Sequence, residues 1–83
     1  MVLFVAPGLT RAPAFVASRR IGGAVVRNRA RRRLREAWRS LAVGVPDGLQ
    51  LVFTARPPIA SATFQEVRED MAGVLDAAGV RPR

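Results

Sequence analysis

Eighty-three residues, 49% of them hydrophobic, suffice for one folded domain (1–83) and are too apolar for a disordered basic tail. The chain has no cysteine, histidine or tyrosine, which excludes disulfides, thiolate chemistry and a histidine-activated serine. Its net charge is +8, every cation is arginine, and nine of the 14 arginines lie between residues 19 and 39 against a single acid, Glu36. The other five arginines balance the other five acids, so the whole excess sits on one short stretch and faces a polyanion.

Residues 2–6, Val-Leu-Phe-Val-Ala, are short, apolar and partly β-branched, and read as a strand. An export signal would need a basic start and an apolar run of about 7–15 residues. Here no charge precedes the run and Pro7-Gly8 breaks it early, so a cytoplasmic protein is expected, in keeping with the absence of cysteine. Turn formers bound residues 7–13, and residues 14–18 make a second short apolar run, so the two runs can pair as a hairpin. Gly22-Gly23 ends the extended segment.

A helix is expected over 24–41. Val26, Ala30, Leu34, Ala37, Trp38 and Leu41 cover one arc of about 120° at about 100° per residue. Asn28, Arg32, Arg35 and Arg39 form a stripe on the opposite face, with Arg29 beside it, while Arg27 falls toward the edge of the apolar arc. Trp38 shares the phase of Leu34 and Leu41 and reads as core. Like charges this dense repel one another on an isolated helix, by about 0.2–0.5 kcal/mol per neighbouring pair. Phosphates opposite the stripe remove that conflict. A merely solvated face would not segregate its charge so sharply.

Residues 44–48 read as a loop and 49–55 as a strand apolar on both faces, hence central in its sheet. Arg56-Pro57-Pro58 stops it. Thr63-Phe-Gln-Glu66 has the capping-box pattern and opens a last helix. Its apolar stripe is Phe64, Val67, Met71, Val74, Leu75 and Ala78, and Gly79 can close it. The order is strand, strand, basic helix, strand, acidic helix: an α+β domain in which helices pack on a small sheet.

No side-chain constellation offers catalysis. Glu66, Glu69 and Asp70 share a helix face but read as solvated carboxylates favoured by the helix dipole, not as a metal site. Ile21-Gly-Gly-Ala-Val lacks the lysine and spacing of a phosphate-binding loop. Every apolar stretch is interrupted well short of the roughly 20 residues of a membrane span, and the Trp-Leu side of the basic helix is too small and alanine-rich for a membrane-surface helix.

The segment Ala14-Phe-Val-Ala-Ser18-Arg-Arg20-Ile-Gly-Gly-Ala-Val-Val-Arg27-Asn28-Arg29-Ala-Arg31-Arg32-Arg33-Leu-Arg35-Glu36-Ala-Trp38-Arg39 resembles the protein subunit of bacterial ribonuclease P. Leu51-Val-Phe-Thr-Ala55-Arg56-Pro57 is similar to that family's strand after the basic helix, and Thr63-Phe-Gln-Glu66 to its final helix start. The resemblance implies a small two-layer α/β sandwich of ribosomal-protein-like fold, with a mixed sheet and a left-handed βαβ crossover, an exception to the usual hand. It implies a ribonucleoprotein endonuclease in which the RNA subunit removes the 5′ leader of precursor tRNA with magnesium held mainly by RNA. The protein would steady that RNA and grip the leader.

By position, the resemblance makes Arg27, Asn28, Arg29, Arg31, Arg32 and Arg35 the face toward the catalytic RNA. Arg39 continues the same stripe, and Ser18, Arg19 and Arg20 lie at the strand end leading to it. Phe4, with Ser18 and Arg19, falls where the family lines its leader cleft, although Phe4 reads equally well as core. Family members usually begin with a helix bearing paired phenylalanines and a further short strand. Neither is present here, so an N-terminally shortened chain or a misplaced start codon is expected, and leader binding is the part of the function this touches. The competing reading is a non-catalytic RNA-binding module such as a ribosomal or assembly protein.

Overall fold

The computed structural model describes residues 1–8 and 13–80. Strands β1 (Val2–Pro7), β2 (Ala14–Val16) and β3 (Leu49–Thr54) form one sheet, and helices α1 (Ala24–Leu41) and α2 (Phe64–Ala77) pack on it. Three 3-10 turns, Arg19–Ile21, Ala42–Gly44 and Pro57–Ser61, join these pieces.

The sheet order is β1-β3-β2, with β1 antiparallel and β2 parallel to β3. The expected hairpin between the first two strands is therefore not formed, because β3 lies between them. The reason is in β3 itself. Leu51 and Phe53 are buried on one face, and Val52 is half-buried on the other. A strand apolar on both sides wins the centre of a three-stranded sheet, which leaves β1 and β2 as its edges. Residues 9–12, within the stretch where a turn is expected, lie outside the described residues. Because β2 and β3 run parallel, the chain crosses between them through α1, making a βαβ unit.

Register assigns the two faces of the sheet. Leu3, Phe53 and Phe15 lie side by side and face the helices; Phe4, Val52 and Ala14 lie side by side on the opposite face. The core is built on the first face, from Ala30, Leu34, Ala37 and Leu41 of α1, Leu51 and Phe53 of β3, and Val67, Met71 and Leu75 of α2. Leu34, Phe53, Met71 and Leu75 are fully enclosed. Phe15 stacks on Phe53 at 5.9 Å and Trp38 meets the same ring at 5.8 Å. The opposite face has no layer over it among the described residues: Phe4 is 61% and Val16 42% exposed.

Local chemistry sets the ends of the elements. β2 stops at Val16, sooner than expected, although the Ala55 N–H still donates to the Val16 carbonyl at 2.9 Å. The Ile21 N–H donates to the Ser18 carbonyl at 3.0 Å, so Arg19 and Arg20 turn outward while Ile21 is buried. Gly22 follows at φ 149°, where a Cβ would stand 3.1 Å from the Val26 Cβ, so only glycine lets the chain turn into α1 here. At α2 the capping box is complete: the Glu66 N–H donates to Thr63 Oγ1 at 3.1 Å, and the Thr63 N–H donates to Glu66 Oε1 at 2.9 Å. Gly79, at φ 71°, closes the helix, and the Val80 N–H donates back to the Leu75 carbonyl at 3.2 Å. Phe64 departs from its expected place in the apolar stripe: as the first residue of α2 it is 38% exposed and outside the core.

Candidate nucleic-acid interface

The apolar arc of α1 is consumed by the core, so its phase leaves the charged side outward. Asn28, Arg32, Arg35 and Arg39 are all exposed, whereas Ala30, Leu34, Ala37 and Leu41 are buried. Among the described residues no arginine of α1 lies within ion-pair distance of a carboxylate. Arg32, Arg35 and Arg39 also donate no hydrogen bond there, so their guanidinium groups are available. The stripe is about 16 Å long at 1.5 Å per residue. Exposed Arg19 and Arg20 precede it on the turn after β2, at the end of the sheet where Val2 pairs with Thr54.

The remaining arginines of α1 divide by phase. Arg29 Nη2 donates to the Ala60 carbonyl at 3.1 Å, and Arg33 Nη1 donates to the Ala62 carbonyl. Together they tie one flank of α1 to the segment before α2. Arg31 Nη2 donates to Asn28 Oδ1 at 2.8 Å, holding two polar side chains of the other flank in one arrangement. Arg27 is half-buried and its Nε is enclosed without a partner, in keeping with a phase inside the apolar arc. The structural role of Arg33 had a sequence signal that charge counting passed over: in helical phase it lies one step outside the arc, beside Val26.

Ser18 is exposed and caps nothing with its hydroxyl, and Phe4 stands exposed on the uncovered sheet face. Ser18 and Arg19 thus lie past the end of β2, while Phe4 lies opposite Val52 in the middle of the sheet. Trp38, expected in the core, is half-buried: one side packs on Phe53 and the rest meets a surface groove. The acids gather elsewhere. The Glu66 carboxyl titrates below its ordinary value of 4.5 because it accepts the Thr63 backbone N–H and interacts with the Thr63 hydroxyl. Among the described residues no three carboxylates come together as a metal site would need, and no helix is long and apolar enough to cross a membrane.

Two helices on one face of a mixed three-stranded sheet, with the excess charge arrayed on one helix, define a small arginine-rich α+β domain. The Ribonuclease P family profile matches residues 1–79, and the chain belongs to that family. It is 45% identical over 85 residues to the ribonuclease P protein component of Chloroflexus aurantiacus, covering 99% of this chain and 63% of that one. The component from Beutenbergia cavernae is 42% identical over 69 residues, covering 83% and 58%. The chain thus spans less than two thirds of the length of these relatives. Its fold is shared with the Staphylococcus aureus RNase P protein, with a TM-score of 0.81 at 20% identity over 96% of this chain and 75% of that one. The Thermotoga maritima RNase P protein gives 0.76 at 23% identity over 90% and 74%.

Proposed function

We propose that this chain acts as the protein subunit of ribonuclease P, lying through α1 on a catalytic RNA that removes the 5′ leader from precursor tRNA. The observation that carries the reading is the stripe of Arg32, Arg35 and Arg39, exposed and unpaired among the described residues, in a member of this family. Two RNAs that must meet repel each other through their phosphates. A protein face that neutralises several phosphates of one of them lowers that repulsion and holds its fold. Arg19 and Arg20 extend the cationic surface, while Arg27, Asn28, Arg29 and Arg31 set its geometry or add contacts.

Arginine on phosphate reads position and shape more than base sequence, which suits a subunit serving many precursor tRNAs. Phe4 on one edge strand offers the leader an apolar surface, and Ser18 and Arg19, past the end of the other edge strand, a hydroxyl and a cation. Hydrolysis belongs to the RNA in this reading, in keeping with a sequence that has no histidine, cysteine or tyrosine. Magnesium is held by RNA phosphates, because an arginine surface repels a divalent cation and the described residues gather no carboxylate cluster. A cytoplasmic ribonucleoprotein follows.

The test is reconstitution of the 83-residue chain with the catalytic RNA from the same genome. The protein should raise the rate of leader removal at moderate magnesium. Tight RNA binding without any stimulation would overturn the subunit reading in favour of an RNA-binding module of another assembly.

A further inference from the structure

On the flank of α1 opposite Arg29 and Arg33, the helix and the edge strand β2 enclose an open groove of about 440 Å³. Pro13, Phe15 and Trp38 form its apolar floor, and Arg35 and Arg39 form its rim. Phe15 and Trp38 flank the fully buried Phe53, so the floor is the outer edge of a continuous aromatic row fixed by the core. Both are half-buried, neither enclosed nor free to swing. An apolar helix–strand junction needs no guanidinium pair at its mouth, and a phosphate-binding helix face needs no aromatic floor. Their coincidence suits a ligand that is flat and apolar at one end and anionic at the other.

From this we infer that the groove receives an unpaired purine nucleotide of the RNA that lies along the stripe. Its base packs against Trp38 and Phe15, and its flanking phosphates are held by Arg35 and Arg39. The inference rests on the RNA-binding reading above, because the two arginines belong to both stripe and groove. It adds what the stripe alone lacks: a contact that only an unstacked base can make, and hence a register on the RNA.

Trp38 is the only tryptophan of the chain, so a change in its fluorescence on binding comes from a wall of the groove. The full chain is titrated with three short RNA hairpins that share one all-uridine loop: one with a fully paired stem, one with a single bulged adenosine in the stem, and one with an abasic residue at the bulge. The bulged adenosine should bind about tenfold tighter than the paired hairpin, within the range of one base–aromatic stack, and quench Trp38. The abasic hairpin should behave as the paired one. Trp38→Leu, which keeps apolar packing on Phe53, should retain binding to the paired hairpin and lose the preference for the bulge. Equal binding of all three RNAs without quenching would overturn the groove and leave the arginine stripe standing. No binding of any hairpin would overturn both.

Discussion

Replacing Arg32 and Arg35 together by alanine removes two of the three arginines of the exposed stripe while leaving the fold intact. Both side chains are exposed and donate no hydrogen bond among the described residues, so the melting temperature should hardly move. RNA affinity responds differently. Each arginine–phosphate contact contributes about 0.7–0.9 to the slope of log affinity against log salt, so the double variant should lose about 1.4–1.8 of slope. Over a fourfold rise in salt that difference compounds to about 7–12-fold. The wild type, with three stripe contacts, should weaken by about 20–40-fold on their account, and the variant by about threefold.

The assay is fluorescence anisotropy of labelled RNA across a salt series, with circular dichroism of each variant to establish folding. Arg29→Ala with Arg33→Ala is the control at equal charge loss. Those two guanidinium groups serve the Ala60 and Ala62 carbonyls, so their removal should cost about 1–3 kcal/mol of stability and leave most of the slope. Equal slopes for wild type and Arg32→Ala/Arg35→Ala, or an equal loss for both doubles, would refute the assignment of the stripe as the interface.

Leu34→Ala empties a fully buried position between α1 and the sheet and should cost about 2–5 kcal/mol, read as a large drop in urea midpoint. Gly22→Ala should destabilise by about 1–3 kcal/mol through a disallowed φ and the close Val26 Cβ; an unchanged melt would mean the turn relaxes. Glu66 has a depressed folded pKa, so its contribution is full above its ordinary 4.5 and fades as pH falls through the lower folded value. The stability gap between wild type and Glu66→Gln, followed by thermal melts over that acid range, should therefore shrink, and a gap independent of pH would sink the idea. Phe4→Ala, at a 61% exposed site, should leave stability and catalytic-RNA affinity unchanged and weaken only precursors that carry a leader, as filter binding of precursor and mature tRNA would reveal.

How legible the molecule was depends on whether a signal is local. The limits of α1 and the capping box of α2 were plain because periodicity and Thr63–Glu66 spacing lie within a few residues of the feature they set. Strand pairing is not local. Two short apolar runs divided by turn formers carry the mark of a hairpin, and only the two-sided apolarity of Leu49–Thr54 revealed that a third strand would separate them. Those two expectations conflict in a three-stranded sheet, and the one resting on burial prevailed over the one resting on proximity. At the site, phase placed Asn28, Arg32, Arg35 and Arg39 outward, but it does not say what stands beside the helix. Arg29 and Arg33 meet carbonyls of residues about thirty positions on, and Trp38 meets a groove made by an edge strand. Neither neighbour is written near α1 in the chain.

The central place of β3 also bears on how the molecule comes into being. β1 and β2 have no partner in the sheet until residues 49–54 exist, and α1 has no Phe53 to pack on. During synthesis the arginine-rich helix thus emerges before Phe53 and α2, which supply much of the surface that buries its apolar side. The amino-terminal half should stay open on the ribosome and close in one step once β3 and α2 arrive, since long-range pairing must wait for its most distant member. Polypeptides ending ahead of Leu49 should accordingly remain unfolded, however strongly their helix is encoded.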